Sequence, residues 1–143
     1  MGHILVVDDD PMVTRLVRIN LELEGFQVME VWDGGTALKM IEESRPELLV
    51  LDIMMPQMDG WQVLEKVRAQ DDFKQLPIVI LTAKVQDEDI LKGWRMGADG
   101  YIVKPFNPVA LAETLRSILS TTPEERESHR AEELAKFDDF MGR

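Results

Sequence analysis

The 143-residue chain contains no cysteine, two histidines, one tyrosine and only 6% aromatic residues. Without cysteine it has no disulfides, no zinc-thiolate sites and no thiol nucleophile. The histidines, His3 and His129, lack partners at ligand spacing and read as incidental. Basic charge is scarce: 16 Lys and Arg stand against 27 Asp and Glu, a net charge of −11 and a pI near 4.6. Such a surface disfavours direct binding to nucleic acid or to anionic membranes. No apolar run is long enough to span a bilayer, and Met1-Gly2-His3-Ile4 has no room for a signal-peptide core before Asp8. A myristoylation signal is also missing, because Val6 stands where it needs Ser or Thr. The expectation is a cytoplasmic, non-membrane protein.

Apolar content is 45%, enough for one domain with a real core. Short apolar runs alternate with helical periodicity. The strand candidates are Ile4–Val7, Phe26–Val31, Leu48–Leu51, Ile78–Leu81 and Tyr101–Val103. The third and fourth are apolar throughout, which suits parallel strands covered on both faces. Amphipathic segments separate them. The first starts at Asp10-Pro11 and stops at Gly25, the fourth stops at Gly97, and the fifth starts at Asn107-Pro108. Five β–α repeats with short connections predict a doubly wound α/β fold: a five-stranded parallel sheet in a flavodoxin-like three-layer sandwich. Residues 1–121 form this domain. Residues 122–143 read as an extra C-terminal helix or linker with four basic and seven acidic residues. Its Leu134, Phe137, Phe140 and Met141 either pack on a surface or belong to a frayed, solvated helix. Trp94 shares an apolar side with Ile90 and Leu91, so it is either partly buried or an interface marker.

In an open parallel sheet, ligands bind beyond the carboxyl ends of the strands. Asp8, Asp9 and Asp10 follow the first strand and Asp52 ends the third. Thr82 and Ala83 end the fourth, and Lys104-Pro105 follows the fifth. Clustered carboxylates are unfavourable without positive charge among them, so Asp8, Asp9 and Asp52 predict a cation site. Asp10 reads as a plain helix cap. Asp59-Gly60 reads as a turn.

Four motifs stand in order at the strand ends: Ile4-Leu5-Val6-Val7-Asp8-Asp9-Asp10-Pro11, Leu51-Asp52-Ile53-Met54-Met55-Pro56-Gln57-Met58-Asp59-Gly60, Leu81-Thr82-Ala83, and Gly97-Ala98-Asp99-Gly100-Tyr101-Ile102-Val103-Lys104-Pro105-Phe106. Together they resemble the receiver domain of two-component response regulators over about Gly2 to Leu119. The resemblance implies a signalling domain rather than an enzyme, with Asp52 as phosphoacceptor. It implies Mg²⁺ held by the side chains of Asp9 and Asp52, by the backbone carbonyl of Met54, and by Asp8 through a water. Lys104 and Thr82 would contact the phosphoryl group, and Thr82 and Tyr101 would form the switch, with Tyr101 turning inward from solvent. The resemblance further implies a cis Lys104-Pro105 bond. It implies a sensor histidine kinase or phosphotransfer protein as donor, and a partner protein or effector domain on the face of the fourth helix, fifth strand and fifth helix. A phosphorylation-dependent homodimer stays open, as does a stand-alone chain against an input domain of something larger. Phosphatases of the haloacid-dehalogenase type resemble the site only in part, because Met54 stands where they place a second aspartate.

Overall fold

A computed structural model describes residues 2–140. Five parallel strands, β1 (Ile4–Val7), β2 (Val28–Val31), β3 (Leu48–Leu51), β4 (Ile78–Thr82) and β5 (Gly100–Val103), form one sheet in the order β2-β1-β3-β4-β5. Five helices cover it: α1 (Pro11–Leu23), α2 (Gly34–Ser44), α3 (Gly60–Arg68), α4 (Asp87–Arg95) and α5 (Pro108–Leu119). A sixth, α6 (Pro123–Phe140), follows. The architecture is the expected flavodoxin-like sandwich with an extra helix. Among the described residues no helix is long and apolar enough to cross a membrane.

Successive strand side chains point to opposite faces, so each strand feeds two cores. Leu5, Val7, Leu49 and Leu51 pack with Ile41, Val63 and Leu64 on one side. Ile4, Val6, Leu48 and Val50 pack with Val17, Leu21 and Leu115 on the other. Every residue of β1, β3 and β4 is buried, as strands sandwiched between helices must be.

The helix starts follow local chemistry. Asp10, Asp33, Asp59 and Asn107 each place a side-chain oxygen on a backbone N–H of the first turn. Asp10 is thus the cap expected of it. Asp59-Gly60 departs from the turn reading. Asp59 and Gln62 form a reciprocal capping box that starts α3, because the chain goes straight from the loop after β3 into that helix. Gly25 and Gly97 adopt φ of 95° and 96° where α1 and α4 end. Strand β2 begins two residues later than expected. The Phe26 N–H is engaged by the Leu21 carbonyl (3.0 Å), closing the end of α1 instead of joining the ladder.

Helix α6 begins in a second capping box. The Glu125 N–H donates to Thr122 Oγ1 (3.1 Å), and the Thr122 N–H donates to Glu125 Oε1 (2.9 Å). The helix is not a frayed tail but lies against α4. Trp94 is only 7% exposed, and the His129 ring meets it edge-on at 5.4 Å between centroids. Burial beside the tail therefore replaces the reading of Trp94 as an exposed marker. Of the tail residues singled out in the sequence, Met141 lies outside the described residues.

Candidate functional site

The carboxyl ends of β1, β3, β4 and β5 bring the candidate residues to one rim, because neighbouring parallel strands end in step. Val7 is registered with Leu51, and Thr82 with Val103. Asp8 and Asp52 extend the ladder by one residue each. The Asp8 N–H donates to the Val31 carbonyl (3.1 Å) and the Asp52 N–H to the Val7 carbonyl (2.9 Å). Both side chains are buried, whereas Asp9 is exposed. Each of the three carboxylates offers an oxygen within 4.8 Å of the others.

One cation stands among them. Lys104 Nζ donates to Asp8 Oδ2 at 2.6 Å and to Asp52 Oδ2 at 3.0 Å. The remaining oxygens are held from the backbone: the Asp10 N–H donates to Asp8 Oδ1 (2.9 Å) and the Met54 N–H to Asp52 Oδ1 (3.0 Å). Lys104 precedes a cis proline, as the resemblance implied. Thr82 is buried, and its Oγ1 accepts from the Lys84 N–H at 3.4 Å. Tyr101 is half-buried rather than turned to solvent. Its hydroxyl donates to the Lys84 carbonyl (3.0 Å), and its ring lies in the room left by Gly93, where a Cβ would stand 3.0 Å from Tyr101 Cδ2.

The electrostatics show a rim short of positive charge. Burial, together with the neighbouring charge of Asp52, pushes the Asp8 carboxyl up to about 6 despite the Lys104 contact. Burial alone would lower the Lys104 ammonium, but its bonds to Asp8 and Asp52 outweigh that and raise it. Tyr101 is pushed up to about 12 by burial and by Asp89 and Asp52. An acid whose pKa is raised on folding stabilises the fold fully below its unfolded value. That contribution is lost as pH rises through the folded value. Chemical denaturation without divalent cations should therefore show the fold weakening by about 2 kcal/mol between roughly pH 4 and pH 6.5. An Asp8→Asn variant should lack that component.

Hard oxygen donors at this spacing suit Mg²⁺, which prefers carboxylates and waters and is held by few protein ligands. The raised Asp8 is the second sign of fit, since a divalent cation would supply the charge the cluster lacks.

The sequence reading overlooked a second charged cluster at the opposite end of the sheet. Asp99, at the start of β5, meets Arg68 of α3 and Arg126 and Arg130 of α6. An aspartate in a Gly-Ala-Asp-Gly stretch, with arginines scattered through a charged helix, carries no local signal of that meeting.

The family model described as the response regulator receiver domain matches residues 4–116. The transcriptional regulatory protein SrrA of Staphylococcus aureus is 39% identical over 132 residues, covering 90% of this chain and 54% of its own length. The DNA-binding dual master transcriptional regulator RpaA of Synechocystis is 36% identical over 122 residues, covering 85% and 51%. The chain thus spans about half the length of these curated relatives. The solved chemotaxis response regulator CheY4 of Vibrio cholerae superposes with a TM-score of 0.77 at 35% identity, covering 82% of this chain and 98% of that one. A response regulator receiver domain protein of Methanospirillum hungatei gives 0.78 at 31% identity, covering 90% and 98%.

Proposed function

The chain belongs to the response regulator receiver family, and on that premise we propose that Asp52 accepts a phosphoryl group from a phosphohistidine and passes the event on as a change of surface. The observation that carries this reading is the Asp52 carboxylate itself, buried at a strand end and shared with Lys104 and the Asp8–Asp9 pair. A receiver is a signalling phosphoacceptor rather than a turnover enzyme, and its donor is a histidine kinase or a phosphotransfer protein.

In the transfer, an Asp52 oxygen forms the new O–P bond as the N–P bond of the donor breaks. The electron pair returns to the imidazole nitrogen. Lys104, already 3.0 Å from Asp52, offers its flexible point charge to a phosphoryl oxygen. The Thr82 hydroxyl donates to another. Mg²⁺ held by Asp9 and Asp52, with the Met54 carbonyl and a water on Asp8, would supply the charge that lets a carboxylate approach an electron-rich phosphorus. Its binding should also abolish the pH-dependent loss of stability described for Asp8.

Access favours a protein donor. Met12, Leu16, Ile19 and Leu23 form an exposed apolar stripe along α1, which starts beside Asp9. A stripe of that kind on an otherwise acidic surface suits a partner that delivers the phosphohistidine to the rim.

The response runs through Thr82. Pulling its hydroxyl towards the phosphoryl group moves the loop after β4, whose Lys84 carbonyl holds the Tyr101 hydroxyl. The face of α4, β5 and α5 changes with it. Such a switch needs two packings within a few kcal/mol of each other.

The test is to treat the chain with acetyl phosphate and Mg²⁺ and follow its intact mass. A gain of one phosphoryl group is expected, and chelation should prevent it. Met54 and Lys84 stand two residues beyond Asp52 and Thr82, and neither is a base that could position an attacking water. The label should therefore decay over minutes or longer after the donor is removed. No uptake would overturn the assignment of Asp52. Decay within seconds would overturn the role given to Met54 and Lys84.

A further inference from the structure

Helix α6 is seated on α4 and the start of β5 by one face. Arg126 and Arg130, one turn apart, both approach Asp99 Oδ1, Arg126 Nε at 3.9 Å and Arg130 closer. The other oxygen, Asp99 Oδ2, is taken by Arg68 (3.2 Å) and by the Ile78 N–H (3.0 Å). Arg126 also donates to the Gln75 carbonyl (3.0 Å), fixing the first turn of α6 to the loop before β4. His129 covers Trp94. A turn and more further on, Glu133, Lys136 and Phe137 border a shallow cavity with Asp87 at the start of α4. Positions 126, 130, 133 and 137 recur at three- and four-residue intervals, so one stripe of the helix makes all these contacts.

This seat is built differently from the rest of the molecule. From Pro123 to Phe137 no residue is fully buried, whereas every other helix contributes at least two buried residues to the fold. Among the described residues, ion pairs, the His129–Trp94 contact and the partly buried Leu134 and Phe137 hold α6 in place of a fully buried core, the kind of largely polar interface that opens and closes readily. The buried end of the clamp, Asp99, belongs to the domain, while the arginines, with side chains 11% and 24% exposed, belong to the helix.

The seat also touches the moving parts of the phosphoryl switch. Trp94 and His129 border one cavity with Tyr101. Gly93, next to Trp94, supports the Tyr101 ring, and that hydroxyl is tied to the Lys84 carbonyl two residues past Thr82. A continuous set of contacts therefore runs from α6 through α4 to the rim.

We infer that α6 is an intramolecular occupant of the α4–β5 surface, and that phosphorylation of Asp52 loosens it and frees that surface for an external helix. The vacated seat offers a buried carboxylate beside an indole. It fits a basic amphipathic helix with two arginines or lysines a turn apart and an aromatic or imidazole ring between them. A basic partner also suits the net charge of −11. This inference rests on the reading of Asp52 as phosphoacceptor. Coupling between two sites is reciprocal, so seating α6 must weaken binding at Asp52 by the factor with which occupancy of Asp52 unseats α6.

The experiment uses the full chain with Trp32→Phe and Trp61→Phe, leaving Trp94 as the one indole. Two variants loosen α6 from opposite ends: Arg126→Gln with Arg130→Gln, and Leu134→Ser with Phe137→Ser. Each should red-shift Trp94 emission and increase its quenching by acrylamide. Beryllofluoride with Mg²⁺ should shift the unsubstituted tail in the same direction. Calorimetry should show beryllofluoride binding about fivefold or more tighter in both variants. Equal affinity in all forms, or an unmoved Trp94 in both variants, would overturn the coupling and leave Asp52 intact as acceptor. An effect confined to the arginine pair would also overturn it, because it would trace to Asp99 and not to the helix. Binding absent from every form and unchanged by Asp52→Asn would overturn the phosphoryl reading and the coupling together.

Discussion

Asp52→Asn should bring acetyl-phosphate labelling down by at least about a hundredfold, to the detection limit, while the protein stays folded. An amide has no anionic oxygen to form the bond, and nothing else on the rim replaces it. Asp8 is tied to Lys104 and Asp9 is exposed at the periphery. The variant should lose nothing in stability. The Asp52 charge helps push the Asp8 carboxyl up to about 6, so removing it lets Asp8 ionise more easily and keeps Lys104 as a matched partner. A gain of about 1 kcal/mol without divalent cations is the expected sign and size. Intact mass after acetyl-phosphate treatment and a urea titration at neutral pH check the two halves separately. Labelling that survives the substitution would move the acceptor to another carboxylate. A large loss of stability would mean that Asp52 is held as a structural anion.

Gly60→Ala should be the most damaging small substitution near the site. A Cβ at Gly60 would collide with the Asp52 carbonyl oxygen and stand 2.6 Å from Ile53 Cα. These are backbone atoms, so no side chain can move aside. Relief has to come from shifting either α3 or the end of β3, and the second choice displaces Asp52. A loss of about 2–3 kcal/mol is expected, seen as a drop of roughly 6–12 °C in Tm for a domain of this size. Labelling of the folded fraction should slow about tenfold, since small misplacements at a reacting group are costly. Gly35→Ala is the matched control. A Cβ there meets only Asp33 Oδ1, at 3.5 Å, and the site is already helical. It should leave Tm within a few degrees of the parent and labelling unchanged. If both substitutions behave alike, the close approach at Gly60 is not what holds the β3–α3 junction.

Much of the architecture was legible because its causes are local. Four residues of unbroken apolar sequence, as in β1 and β3, suit a strand buried on both faces, and the structure buries all of them. Asp10-Pro11 and Asn107-Pro108 name helix starts because a cap needs only its own first turn. The acids that follow β1 and β3 are placed on one rim by strand register alone. Where the reading missed, two of the causes lay across space and one was local. Asp59-Gly60 looks like a turn until α3 is seen to begin there and the Asp52 backbone to pass within contact of Gly60. Phe26 looks like a strand residue, yet its N–H closes the end of α1 on the Leu21 carbonyl five residues back, which is the local miss. Tyr101 looks free to face solvent, and the space beside Gly93 is what draws it in.

The sequence by itself determined the sandwich, the strand ends and the carboxylates that stand there, because periodicity, capping and alternation act within a few residues. Only the tertiary structure decided which charges meet. Lys104 lies 96 residues from Asp8 and 52 from Asp52, and it still becomes their shared cation. Asp99 lies 31 residues from both Arg68 and Arg130, and the three become a clamp that seats α6 over Trp94. An ion pair depends on where two chain segments come to rest once the apolar faces are buried. Residue types that solvate equally well on any surface carry no mark of the partner they will find.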